Sequence, residues 1–201
     1  MSEESPDRQF VLGHASFTPR GEGDQLLKER IIILGELDAE SAQLAVAQLL
    51  LLERDDPAAT VTVYVNCASA PLDPALSLYD TMQMVSCPLA TVCTGVAAEA
   101  AVLLMASGAK GQRAALPHSR FVMRMPPADV SGDVATAAEE AALGRRTLVE
   151  LIAGASGKPE DVVRSDLERG RFLTAPQAVE YGLVDEMLEQ PPKAWRAVLT
   201  R

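Results

Sequence analysis

The chain has 201 residues, with 28 acidic against 18 basic side chains and a net charge of -10. A field of that sign repels phosphate backbones and anionic lipid headgroups, so neither nucleic acid nor a membrane is expected as a partner. The length fits one domain with its own core, and Cys67, Cys87 and Cys93, odd in number and without CxxC spacing, read as reduced buried thiols of a cytoplasmic protein with no metal and no cofactor.

Residues 1–25 mix charged, Gly and Pro residues without the apolar stretch of a secretory leader, and read as a flexible tail. Arg30 to Gly35 is a β-branched run stopped by glycine, the pattern of a strand covered on both faces. Asp38 is an N-cap for a helix to about Glu53, apolar on almost every side. Thr60 to Asn66 alternates β-formers into a second strand, and Asp73-Pro74 is expected to cap the helix carrying Leu76, Tyr79 and Met82. Leu89 to Ala109 is apolar enough to raise a membrane span, but Pro88, Gly95 and Glu99 divide it. It reads instead as a strand over Leu89 to Thr94 and a helix over Ala97 to Ser107.

Strands are expected at Gln112 to Leu116 and Arg120 to Met125, then a long helix from about Asp133 to Ala153, with its acids early and its bases late as the helix dipole favours. Short helices near residues 159–168 and 175–181 and a strand at Leu183 to Asp185 complete the pattern. Strands alternating with helices predict a layered α/β domain with mainly parallel pairing.

The ordered segments Leu27-Lys28-Glu29-Arg30-Ile31-Ile32, Ala47-Gln48-Leu49-Leu50, Tyr79-Asp80-Thr81-Met82, Gly108-Ala109-Lys110-Gly111 and Tyr181-Gly182-Leu183-Val184-Asp185 carry a resemblance. Together they resemble the proteolytic subunit of the Clp protease family. The resemblance implies a crotonase-like fold of stacked ββα units, with a domain over residues 26–190, a protruding helical handle at about 126–158 and a C-terminal tail over 191–201. It also implies stacked heptameric rings built from copies of this chain, from active Clp subunits, or from both, with a Clp ATPase as a further partner.

That family works as a serine peptidase, and its triad positions align with Glu99, Arg124 and Gly170. None retains the chemistry. Arginine stays protonated and cannot take a nucleophile's proton, and glycine has no side chain to orient a base. Losing triad members costs on the order of a millionfold in turnover in a comparable peptidase. His14 lies in the tail and His118 falls six residues before the base position, so neither offers a rescue.

The oxyanion region aligns with Ser69, Ala70 and Ala100, and the peptide-pairing edges read Ala68-Ser69-Ala70-Pro71 and Pro127-Ala128-Asp129-Val130, where proline has no N–H to donate. Glu99 has two readings: a carboxylate stabilised at a helix start, favoured by the dipole argument, or an acid or base of the kind that related acyl-CoA enzymes use. Replacing two groups that touch in the family, Glu99 and Arg124 are expected to form an ion pair across the dead site.

Glu168-Arg169 matches an Asp-Arg that the family uses between rings, and equally suits a solvated helix end. Leu51, Thr62 and Met84 align with an aromatic ATPase-docking pocket; none is aromatic, so docking should be weaker. The leading expectation is a non-catalytic subunit of a Clp-type assembly. A peptidase with a rearranged site and an acyl-CoA enzyme using Glu99 are the alternatives.

Overall fold

The computed structural model describes residues 22–127 and 134–189. It begins with α1 (Glu22–Lys28), which starts inside the stretch read from sequence as tail, and continues through β1 (Ile31–Leu34), α2 (Ala39–Asp55), β2 (Val61–Cys67) and α3 (Leu72–Met84). Next come β3 (Leu89–Ala98), α4 (Ala101–Ala106), β4 (Arg113–Ala115), β5 (Arg120–Met123) and α5 (Val134–Ser156). The chain closes with α6 (Glu160–Arg169), β6 (Arg171–Thr174), α7 (Ala175–Tyr181) and β7 (Glu186–Met187).

The strands form one sheet in the order β1-β2-β3-β4-β7, parallel along that path, with β5 also parallel on β3 and β6 antiparallel on β5. The layered, mainly parallel α/β fold predicted from the alternation is present. Residues 171–174, to which the sequence pattern assigned no element, supply its antiparallel strand. The final strand falls at Glu186–Met187, later than the predicted Leu183 to Asp185.

One sheet face packs under a large apolar cluster that joins Ile32, Leu49, Leu78, Leu103, Phe121 and Ile152. Each such side chain taken from water contributes about 1.5–3 kcal/mol before entropy is charged against it. Among the described residues a second, small cluster joins Tyr64, Val92 and Ala114, with Ile31 and Leu188 packed against it. The burial pattern of β1 corrects its reading as covered on both faces. Its Ile32 and Leu34 are buried, but Ile33 is 45% exposed on this strand, which ends the β1-β2-β3-β4-β7 path.

Asp38 caps α2 as predicted: its carboxylate accepts the Ser41 N–H at 2.8 Å and the Ser41 hydroxyl oxygen accepts the Asp38 N–H at 2.8 Å. Inside, α2 buries Ala42, Ala45, Leu49 and Leu52, while Leu50 is 50% exposed. At α3 the cap position falls to Pro71, and Asp73 lies within the first turn. All three cysteines are buried and free. No helix among the described residues is long and apolar enough to cross a membrane, and the Leu89 to Ala109 stretch is divided between β3 and α4.

Candidate functional site

The long strand β3 organises the site. Its first half pairs with β2 and β4; its last residues, Val96 to Ala98, leave β4 and pair with Arg120 to Val122 of β5. The change of partner coincides with a register shift on β2, where Asn66 Oδ1 accepts the Val96 N–H at 3.0 Å. Gly95 permits that approach, since a Cβ there would run into the Asn66 amide. The strand therefore runs to Ala98, beyond the predicted end at Thr94, and the helix predicted from Ala97 begins only at Ala101.

Glu99 lies in the turn between them at a φ of 58°. For a non-glycine residue that left-handed backbone costs about 1–2 kcal/mol. It is held on both sides, with the Glu99 N–H donating to the Val122 carbonyl at 3.1 Å and the Glu99 carbonyl accepting the Val102 N–H at 3.3 Å. A sharp strand-to-helix turn of this type is how some hydrolases present a nucleophile. Here it carries a carboxylate that is only 3% exposed. Glu99 stands just before α4, which has no side-chain cap, and its carboxylate is bound by other donors.

Those donors are two. Oε1 accepts Arg124 Nη2 at 2.6 Å, and Oε2 accepts the buried N–H of Ala70 at 3.0 Å. The ion pair expected between Glu99 and Arg124 is present, and its members differ in exposure, with side chains 4% and 55% exposed. Burying a lone carboxylate is costly, so a cation on one oxygen and an N–H on the other are what make this placement tolerable. The bond to Ala70 has no sequence signal, because it depends on the backbone of the β2–α3 loop.

Among the described residues, the side-chain partner that the Glu99 carboxylate meets is Arg124. Gly170 ends α6 in the left-handed region at a φ of 66°. The β5–β6 ladder ends with Met123 paired to Arg171, the residues that precede Arg124 and follow Gly170 in the chain. Of the three positions that the resemblance singled out, Glu99 and Arg124 are joined by an ion pair, and Gly170 stands one residue before β6. The nearby Asp166 is engaged elsewhere, accepting from Arg171 Nη1 at 2.9 Å and from the Tyr181 hydroxyl at 2.9 Å. Burial and the bond to Asp166 keep the Tyr181 phenol protonated well above its usual range.

Cys67 offers no substitute nucleophile. Burial, with the Glu99 and Glu36 charges adding to it, pushes its thiol up to about 11, so it stays protonated at neutral pH. Ser119 is buried and donates its hydroxyl to the Cys93 carbonyl at 2.7 Å, and His118 is exposed on the turn between β4 and β5. Among the described residues no group of three or more His, Cys, Asp and Glu side chains is placed to hold a metal ion.

A family model described as Clp protease matches residues 22–191. The chain belongs to the Clp protease family. Among curated relatives it is 39% identical to the ATP-dependent Clp protease proteolytic subunit of Porphyromonas gingivalis over 173 residues, 84% of this chain and 78% of that one. It is 39% identical to proteolytic subunit 2 of Rhodococcus jostii over 175 residues, covering 85% of this chain and 90% of that one. The corresponding subunit 2 of Corynebacterium diphtheriae is 41% identical over 170 residues, 83% of this chain and 85% of that one. The mixed α/β, parallel-rich sheet is consistent with the Clp protease fold.

The remaining positions singled out by resemblance to the Clp family are dispersed. Ser69 is exposed, and its carbonyl accepts the Leu37 N–H at 3.1 Å and the Cys67 thiol at 3.1 Å. Ala100 is fully buried in the turn before α4, its carbonyl accepting from Leu103 and Leu104. Glu168 and Arg169 are exposed at the end of α6. Leu51 is half-buried on α2, Thr62 is half-buried on β2 between Ile31 and Ala90, and Met84 is 80% exposed at the end of α3. The second pairing edge, from Ala128 to Val130, and His14 lie outside the described residues.

Proposed function

We propose that this chain is a non-catalytic Clp proteolytic-subunit-like protein, acting as a structural or regulatory subunit of an ATP-dependent Clp-type assembly in the cytoplasm. The observation that carries the reading is the buried Glu99 carboxylate, bound to Arg124 and to the Ala70 N–H. On the family alignment these are the nucleophile position, the base position and an oxyanion donor. Arginine cannot act as a general base, and the N–H that would steady an oxyanion already donates to a carboxylate. Gly170, aligned with the orienting acid, leaves the third role empty.

The scaffold side of the reading rests on the match over residues 22–191, which leaves the family's fold intact around an altered site. The subunit is divided into a head over residues 26–190, with a handle at about 126–158, and tails at 1–25 and 191–201. It joins copies of itself or active Clp subunits in heptameric rings through contacts that include Glu168 and Arg169. An ATPase docks weakly, if at all, where Leu51, Thr62 and Met84 replace aromatic residues. A rearranged peptidase and an acyl-CoA enzyme are disfavoured by the same fact, since Glu99 is buried and has both oxygens engaged.

The test is hydrolysis of a fluorogenic peptide and of casein by the purified protein. No turnover above the buffer rate is expected. Turnover abolished by Glu99→Gln overturns the reading.

A further inference from the structure

The carboxylate of Glu99 has the relation to its surroundings that a bound ligand has to a receptor. It is 3% exposed, each oxygen has its own donor, and the donors come from separate segments: the Ala70 N–H from the loop between β2 and α3, and the Arg124 guanidinium from the residue after β5. Ala70 is fully buried, so its N–H is poorly placed to turn to water if the acceptor is lost. Arg124 is half in solvent, with a side-chain exposure of 55%, which leaves a route to the carboxylate from its side. The Glu99 backbone, at a φ of 58°, occupies a conformation natural to glycine.

We infer that the Ala70 N–H and the Arg124 guanidinium form a binding site for a small carboxylate, and that Glu99 fills it as a tethered ligand of the same chain. The site is an anion receptor whose occupant is covalently supplied. Because the tether sets a high effective concentration, a free carboxylate in solution does not compete measurably with Glu99. Removing the Glu99 side chain vacates the site without dismantling it, and Glu99→Gly does so while also matching the backbone conformation of residue 99. A formate or acetate ion then takes the place of the lost carboxylate. The inference shares its site with the proposed non-catalytic role, but depends on the donors alone and not on any catalytic history.

Thermal unfolding of the full chain in sodium acetate, against sodium chloride of equal ionic strength, tests this. Acetate at about ten times its Kd should raise the Tm of Glu99→Gly by roughly 3 °C, with no acetate-specific rise for the intact chain. The double variant Glu99→Gly/Arg124→Gln should lose the acetate response. An equal response in the intact chain and in Glu99→Gly, or one that survives in the double variant, overturns the inference.

Should Glu99→Gly not fold, Glu99→Asp keeps the charge but falls one methylene short. In that variant the Ala70 amide should exchange with solvent faster than in the intact chain, and acetate should slow it again; exchange unchanged by the shortening overturns the inference as well. Peptide hydrolysis is measured on the same samples. Absent acetate binding with absent hydrolysis removes the inference and leaves the non-catalytic reading standing, whereas hydrolysis by the intact chain removes that reading alone.

Discussion

Arg113 and Asp185 form the second ion pair with a buried member, and the comparison with Glu99 and Arg124 separates a structural pair from a site. In the Arg113 pair it is the cation that is buried, at 5% side-chain exposure against 21% for Asp185. Asp185 Oδ1 accepts Arg113 Nη2 at 2.6 Å, and Oδ2 accepts from Arg113 Nε at 3.0 Å and from the N–H of Gly111 at 2.7 Å. Arg113 Nη1 also donates to the Ala155 carbonyl at 3.1 Å, so the cluster ties β4 to the end of α5. The bonds from Arg113 hold the Asp185 carboxyl below its ordinary range. Its folded pKa lies under the unfolded value of about 3.9, so the stability it adds is present above that pH and lost as pH falls through the folded value. Asp185→Asn should therefore lower Tm at neutral pH and show a smaller Tm drop than the intact chain between about pH 6 and pH 3. A drop of the same size in both, measured by scanning calorimetry, would show that the pair adds nothing to acid sensitivity.

Helix ends show how much the elements depend on single backbone conformations. Gly170 ends α6 and Gly182 ends α7, both left-handed, at φ of 66° and 91°. Their surroundings differ. Nothing lies within 4 Å of a Cβ built at Gly170, whereas one at Gly182 would run into the Ser156 carbonyl. Gly170→Ala should cost only the backbone strain, about 1 kcal/mol, while Gly182→Ala adds a clash with rigid backbone and should cost at least about 2 kcal/mol more. Urea unfolding at one protein concentration reads both, and equal losses would refute the distinction. The comparison bears on the proposed function, in which the resemblance puts position 170 in the place of the family's orienting acid. Its tolerance to a side chain means that glycine stands there without any packing requirement for it.

At the scale of the molecule, the sequence revealed the layered α/β order because β-branched runs and helical spacing alternate clearly up to α5. It concealed the strand at 171–174, whose Arg171, Phe172 and Thr174 are exposed and show no buried periodicity, and the length of β3, whose last residues look helical by composition. The Glu99–Arg124 pair was legible through the resemblance, but the Ala70 bond was not, since backbone donors leave no mark in side-chain identity.

Ile33 on β1, Leu50 on α2 and Leu143 on α5 are exposed apolar residues on separate elements, and scattered singly they are ordinary for a monomer. On the proposed assembly role, part of this surface and the exposed end of α6 lie against neighbouring subunits. Native mass analysis of the tagged chain, alone and co-expressed with an active Clp proteolytic subunit, should find oligomers in at least one case. Reversing the exposed pair, as Glu168→Arg with Arg169→Glu, should shift those oligomers toward smaller species without changing the circular dichroism spectrum, because neither side chain is buried in the fold. Oligomers unaffected by the reversal would assign Glu168 and Arg169 to a solvated helix end. A chain that stays monomeric under both conditions would remove the assembly role altogether.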